Sequence, residues 1–391
     1  MDPMRNPFSP GAGSPPPELA GRASLLQQAR LTLGRIQAGR PERSFLLVGL
    51  RGVGKTVLLN KVREMAEATG YRAVLLEAHE GKPLAALLLP ALRQLLFAFD
   101  RMAQVSQKAK RGVRVLKSFF DGLRLRHQDI EIGIDVDPET GVADSGSLEA
   151  DLPEVFIALG EAAQDRGGAV ALIIDEMQYL SEGELGALIM AMHQISQRQL
   201  PVVLVGAGLP QLVALSGRSK SYAERLFQFP EVGALQPLDA AAALQEPAQE
   251  QQVRFADDAL QEIIRQTHGY PYFLQEWGYQ AWNLAALSPI GLDAVHRATA
   301  ESTRRLDSNF FRVRFDRLTP RERQYLRAMA DMDNGAQRSG EIAARLGVRI
   351  QSIAPVRNGL IRKGMIYSPA HGDTAFTVPL FAQFMKRIMP R

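Results

Sequence analysis

Gly49-Leu50-Arg51-Gly52-Val53-Gly54-Lys55-Thr56 is the stretch on which the reading of this sequence turns. The apolar run Phe45-Leu46-Leu47-Val48 precedes it and reads as a buried parallel strand. Val57-Leu58-Leu59 and Val62 follow, opening a helix whose first amides have no partner inside the helix. Glycines let a backbone wrap closely round a triphosphate, and free N–H groups together with the helix dipole favour its negative charge. Residues 49–57 therefore read as a nucleotide cradle, in which Lys55 reaches the β- and γ-phosphates and the Thr56 hydroxyl ligates Mg2+. The plain alternative is a chance glycine-rich turn, and the strand–loop–helix setting argues against it.

The partner that such a loop needs lies further on. Val170-Ala171-Leu172-Ile173-Ile174 is a continuous apolar strand that delivers Asp175 to a bound Mg2+ and sets Glu176 beside it. Glu176 in that place can polarise an attacking water as a general base, which points to hydrolysis of the bound nucleotide rather than binding alone. The competing reading is an acidic pair that caps a helix. Charge on a transferring phosphoryl group also calls for a cation, and Arg225, just before the apolar Phe227 and Phe229, can serve as a finger reaching into a neighbouring subunit. An intramolecular pair with Glu224 is the alternative.

Composition bounds the rest. The 391 residues allow two or three domains with real cores. There is no cysteine, which excludes disulfides, thiolate zinc sites and a cysteine nucleophile. No charged-then-apolar leader pattern opens the sequence, and its greasiest segment, residues 84–99, is interrupted by Pro90, Arg93 and Gln94 and is too short to span a bilayer. A soluble cytoplasmic protein without membrane partners is expected. Residues 301–391 hold 17 Lys/Arg against 8 Asp/Glu, whereas the first 300 carry a net −5. Such a basic module points to a polyanionic partner or, more plainly, to a solvated basic face.

Strands that alternate with helices predict an α/β fold with a doubly wound parallel sheet and its ligand at the carboxyl ends of the strands. The strands expected are 45–48, 73–77, 169–174 and 201–205; a helix over 23–37 precedes them, the phosphate-loop helix follows the first, and helices 84–99, 152–164 and 182–198 come after. Residues 1–18, rich in Pro, Gly and Ser, read as extended or disordered unless something binds them. Residues 102–146 look like an insertion within a core of 19–238. Its first half is basic through Lys108, Lys110, Arg111, Arg114, Lys117, Arg124 and Arg126, and its second half, 130–136, alternates as a half-buried strand does. A helical lid over 239–300, a linker helix over 301–318 and a final domain over 319–391 complete the expected layout. Trp277, Tyr279 and Trp282 in the lid read as core.

Gly21-Arg22, the loop 49–56, Asp175-Glu176, Arg225 and Gly269-Tyr270-Pro271 occur in the order used by AAA+ ATPases. Over residues 19–300 the chain resembles the branch holding origin-recognition initiator ATPases and signalling STAND ATPases. The resemblance implies that Gly21 and Arg22 help form an adenine pocket and that Gly269 and Pro271 belong to a lid near the nucleotide. It also implies ATP and Mg2+ as cofactors and ATP-dependent self-association. Two departures matter. Gly206-Ala207-Gly208 stands where initiator-type members place a polar sensor of the γ-phosphate, and the lid carries no arginine between Arg265 and Arg297. Slow or partner-stimulated hydrolysis is expected, as in a timed switch.

Residues 319–391 read as a winged helix. Thr319-Pro320-Arg321-Glu322 caps a first helix, helices follow at 339–346 and 351–363, and strands at 364–367 and 375–378 enclose the turn Ala370-His371-Gly372-Asp373. The third helix of such a module commonly enters the major groove of duplex DNA, and its outward candidates here are Arg349, Gln351, Ser352, Arg357, Asn358, Arg362 and Lys363. A DNA-bound ATPase switch in replication, transposition or mobile-element defence is the first expectation. A STAND-type signalling ATPase whose winged helix holds a partner protein is the alternative.

Overall fold

A computed structural model of the chain describes residues 1–11, 13–100, 106–123, 136–332, 335–370 and 372–390. Five strands make one parallel sheet: β1 (Ser44–Val48), β2 (Tyr71–Glu77), β3 (Ala169–Asp175), β4 (Val202–Gly208) and β5 (Phe227–Gln228), in the order β2-β3-β4-β1-β5. Pleating sends alternate side chains to opposite faces. Phe45 and Leu47 join Leu33, Leu58, Ile173 and Val205 on one side, under helices Ala23–Gln37 and Lys55–Ala68. Leu46, Leu172, Ile174 and Leu204 face the other side, under helices Leu84–Asp100, Leu148–Asp165 and Glu182–Gln197. Both faces are covered, which is why these strands read as unbroken apolar runs.

Register brings the functional ends together. Val48 of β1 lies opposite Gly208 of β4, and Asp175 of β3 lies opposite Glu77 of β2. A Cβ on Gly206 would meet Met177 Sδ at 2.1 Å and Leu46 Cδ2 at 2.6 Å, so a side chain there would force these two neighbours to shift.

Residues 107–122, part of the expected insertion, form the helix Gln107–Gly122, which buries Val113, Val115, Leu116 and Phe119 in the core shared with helix Leu148–Asp165. Its basic face is largely neutralised from within. Arg111 pairs with Glu139 and Glu161, Arg114 with Glu139, and Lys117 with Asp121. Arg124, Arg126 and the expected strand, apart from the exposed Val136, lie outside the described residues.

Helices Pro237–Glu250, Asp257–Thr267, Pro271–Leu284 and Leu292–Arg305 follow the sheet. The segment Leu306–Phe311 then winds as a π-helix and continues into helix Arg312–Asp316. Leu306, Phe311 and Phe315 merge the core of these helices, including Trp277 and Trp282, with that of the C-terminal region. There, helices Pro320–Ala330, Ser339–Leu346 and Ile350–Arg362 pack beside an antiparallel sheet of β6 (Gln337–Arg338), β7 (Ile366–Tyr367) and β8 (Asp373–Phe376), ordered β6-β8-β7. Thr319 and Glu322 form the expected capping box. A last helix, Phe381–Ile388, is not foreseen by the sequence reading and buries Phe381, Phe384 and Met385.

The first residues depart from expectation. Phe8 is buried against Phe255 and Gly278, and Asn6 Nδ2 donates to Tyr279 O and Asn283 Oδ1. Trp282 Nε1 donates to Asp2 O, and the terminal ammonium donates to Ala285 O. Helix Pro271–Leu284 and the residue after it thus hold this segment in place. Among the described residues, no helix is long and apolar enough to cross a membrane.

Candidate active site

Most of the residues expected to bind nucleotide line one cavity of about 230 Å³ at the carboxyl end of β1, whereas Gly49, Leu50 and Gly21 are not among its lining. Its floor is Gly52, Val53, Gly54, Lys55, Thr56 and Val57, and Arg51 and Glu176 stand at its side. Gly52 and Gly54 take φ values of +82° and +93°, a region that L side chains enter only with strain. Gly54 starts the helix Lys55–Ala68, so the loop's amides and the positive end of the helix dipole converge there.

Lys55 Nζ donates to Gly49 O at 2.9 Å and Leu50 O at 2.8 Å. Burial lowers its pKa to about 8, against the pull of Glu176 and Asp175. Thr56 Oγ1 donates to Asp175 Oδ2 at 2.6 Å, placing the two expected Mg2+ ligands side by side. Burial raises the Asp175 pKa, while the Thr56 hydroxyl and the Glu176 amide oppose the shift. A dication bridged by these two oxygens would repay that desolvation, so the pair is suited to Mg2+.

Glu176 has φ 54° and ψ 35°, a left-handed conformation that turns its carboxylate into the cavity wall. It accepts from Arg51 Nη1 at 3.5 Å and from Gln178 Nε2. Gln178 Oε1 in turn accepts from Leu209 N at 3.0 Å, just beyond β4. Gln178 therefore supplies a polar side chain where Gly206 and Gly208 cannot. In sequence its only signal is its place two residues after Glu176.

The Gly-Arg and Gly-x-Pro elements sit where they shape the cavity rather than fill it. Arg22 Nη2 donates to Val53 O at 3.1 Å and Gly233 O at 2.6 Å, so this guanidinium braces the phosphate loop. A Cβ on Gly21 would lie 2.7 Å from Asp239 Oδ2, and one on Gly269 would lie 2.5 Å from Leu235 O. Pro271 lines the cavity and Gly269 is not among its lining residues. Tyr272 N donates to Gly52 O at 3.2 Å, which ties the helix Pro271–Leu284 to the loop.

Sequence reasoning missed three contributors. Ser9, Pro10, Gly11, Gly13 and Ser14 roof the cavity, and a Cβ on Gly13 would come within 3.6 Å of Thr56 Cγ2. Phe310 and Arg314, from the segment after the lid, form another wall. The C-terminal region reaches the loop itself. Arg51 N donates to Thr377 O at 3.1 Å, the Arg51 guanidinium abuts Gly364, and its Nη2 donates to Tyr179 OH at 3.0 Å.

Arg225 is outside this group. It is exposed at the end of helix Ala223–Leu226, beside Arg43 and Ser196, and does not line the cavity. No ion pair with Glu224 forms.

The expected outward set on helix Ile350–Arg362 needs correction. Arg357 is turned inward, donating to Thr374 Oγ1, Ser368 Oγ and Asp373 O. Lys363 is held by Arg317 O and Glu322 Oε2. Both bind the helix to its own domain, because the long side chains reach oxygens that β8 and the residues around the start of helix Pro320–Ala330 bring alongside it. Arg349, Gln351, Ser352, Asn358 and Arg362 are exposed.

Residues 18–205 match the AAA ATPase domain family, and residues 308–385 match a domain family of unknown function, DUF8462. No curated protein matches the chain. Among solved structures, the chain is similar to the Walker-type ATPase PABY2304 of Pyrococcus abyssi, with 16% identity, a TM-score of 0.55 and coverage of 94% of this chain and 96% of that one. The Aeropyrum pernix ORC1 protein in complex with DNA aligns at 16% identity and TM-score 0.48, over 95% and 94% of the two chains. The Thermotoga maritima RuvB Holliday junction branch migration motor aligns at 14% and 0.44, over 94% and 95%. At these identities the first likeness speaks for the fold alone, and the other two carry no further weight. Residues 18–205 thus resemble the AAA ATPase domain in sequence and carry a parallel sheet with a glycine-rich phosphate loop at its carboxyl edge, an arrangement that supports an AAA+ ATPase.

Proposed function

We propose that the chain is an MgATP-dependent switch whose C-terminal region, a winged helix, reads the nucleotide through direct contact with the phosphate loop. The observation that carries this reading is the clasp between Arg51 and the segment around Gly364 and Thr377. In this reading, Lys55 and the amides of residues 52–57 hold the triphosphate, Thr56 and Asp175 hold Mg2+, and Glu176 activates water. Gln178 and Arg51 hold Glu176 off its task until substrate draws them away. That restraint supports slow or partner-stimulated turnover. Arg225, exposed and remote from its own cavity, fits a finger that completes a neighbouring subunit's site in an ATP-dependent oligomer.

Duplex DNA is the partner we place first. Exposed Arg317, Arg321, Arg338, Arg349, Arg362 and Lys386 make no ion pair among the described residues. A surface of that kind attracts phosphates. A second reading, a partner protein, draws on Val348 and Ile350, which are 45% and 50% exposed at the start of the same helix. Salt titration of duplex binding separates them. The DNA reading predicts affinity that falls steeply with salt and a slope that shrinks when Arg338, Arg349 and Arg362 are replaced by Ala. Negligible binding with MgATP, and without it, rules DNA out and leaves the protein partner.

A further inference from the structure

Arg314 lies in the short helix Arg312–Asp316, between the lid and the C-terminal region, yet its side chain lines the nucleotide cavity beside Arg51, Tyr272 and Glu176. Its guanidinium sits 4.0 Å over the Phe310 ring, and Nη1 donates to Phe310 O at 2.7 Å. It has no ion pair among the described residues, whereas Arg312 on the same short helix pairs with Asp316. A partly buried cation held by a ring face and one carbonyl keeps most of its donors unspent, pointing to an anion that completes the set. Burial and the nearby Arg51 charge lower its pKa to about 10, so it remains charged at neutral pH.

Position tells which anion. Arg314 lines the cavity together with Glu176 and lies close enough for the Glu176 and Arg51 charges to act on it, and a general base for hydrolysis must sit near the terminal phosphate. Three residues on, Arg317 O accepts from Lys363 Nζ at 2.9 Å at the end of helix Ile350–Arg362. A pull on Arg314 is therefore felt by the C-terminal region through a covalent path of three residues. We infer that Arg314 is a ligand of the terminal phosphate, supplied by the segment after the lid. The inference rests on the ATP reading above and adds to it the residue that distinguishes ATP from ADP.

The test uses the full chain and compares binding of MgATP and MgADP by calorimetry in wild type, Arg314→Ala and Arg314→Lys. Loss of a charge-assisted contact to the γ-phosphate should weaken MgATP by about 10-fold or more while MgADP changes by less than about 2-fold. Arg314→Lys should fall between, because it keeps the charge and loses the fork. Equal loss for both nucleotides, or no loss, overturns the inference and leaves Arg314 as a brace for Phe310. Should the Ala variant not fold, the ATP-to-ADP affinity ratio of the Lys variant decides in the same way. A wild type that binds neither nucleotide fails the ATP reading itself, a result distinct from variants that match a binding-competent wild type.

Discussion

The main-chain N–H of Arg51 donates to the carbonyl of Thr377 at 3.1 Å, joining the third residue of the phosphate loop to a strand end more than 300 residues away. The same arginine's guanidinium touches Gly364 and reaches Glu176 and Tyr179. A change in how the loop is filled is thus next to the C-terminal region, with no relay in between.

Lys55 gives a pH signature. Its folded pKa, lowered to about 8 by burial, lies below that of the unfolded lysine. Between about 8 and the ordinary lysine range, the unfolded chain binds a proton that the native chain lacks. Stability without nucleotide should rise with pH across that window as the burial cost is relieved. Urea unfolding from pH 7.5 to 9.5 should show this rise in wild type and lose it in Lys55→Met, which should also fail to bind MgATP. An identical pH slope in both proteins would mean that Lys55 is not depressed.

Glu176→Gln should keep MgATP affinity within a few-fold and cut turnover by about 100-fold or more, the usual worth of a general base. Single-turnover phosphate release measures it. Hydrolysis at the wild-type rate would remove Glu176 from its role.

Gly206→Ala should destabilise the protein by about 1–3 kcal/mol, since the new methyl meets Met177 Sδ and Leu46 in a filled core. Chemical denaturation reads this directly. A neutral effect would mean that Met177 moves freely, and the steric account of that glycine would fail.

Arg357→Ala should lower the stability of the C-terminal region and leave the salt slope of DNA binding unchanged, since this side chain holds helix Ile350–Arg362 to β8. A fall in the salt slope by about one would restore Arg357 to the DNA surface.

Much of the fold was legible because its signals are local. Phe45-Leu46-Leu47-Val48 and Val170–Ile174 announce buried parallel strands by composition, and residues 23–37 and 339–346 form the helices their periodicity predicts. The loop and the acidic pair were legible because their chemistry is set by adjacent residues. What escaped depends on contacts distant in sequence. Nothing near Arg314 marks it as part of a cavity built around Lys55, and nothing in Phe8 says that it will bury against Gly278. Arg357 reads outward by helical spacing alone, yet Thr374 and the carbonyl of Asp373, brought over by β8, draw it in. Helix Phe381–Ile388 is only eight residues long and follows Pro379 and a left-handed Leu380, so its period is too short to stand out.

Hydrogen exchange of the backbone amides from Gly364 to Val378, followed with and without MgATP, tests the switch most directly. Filling of the loop should draw Arg51 toward the phosphates and release this segment, so exchange there should quicken when MgATP binds. Exchange that stays the same while calorimetry records saturating MgATP binding would contradict the coupling of nucleotide to the C-terminal region.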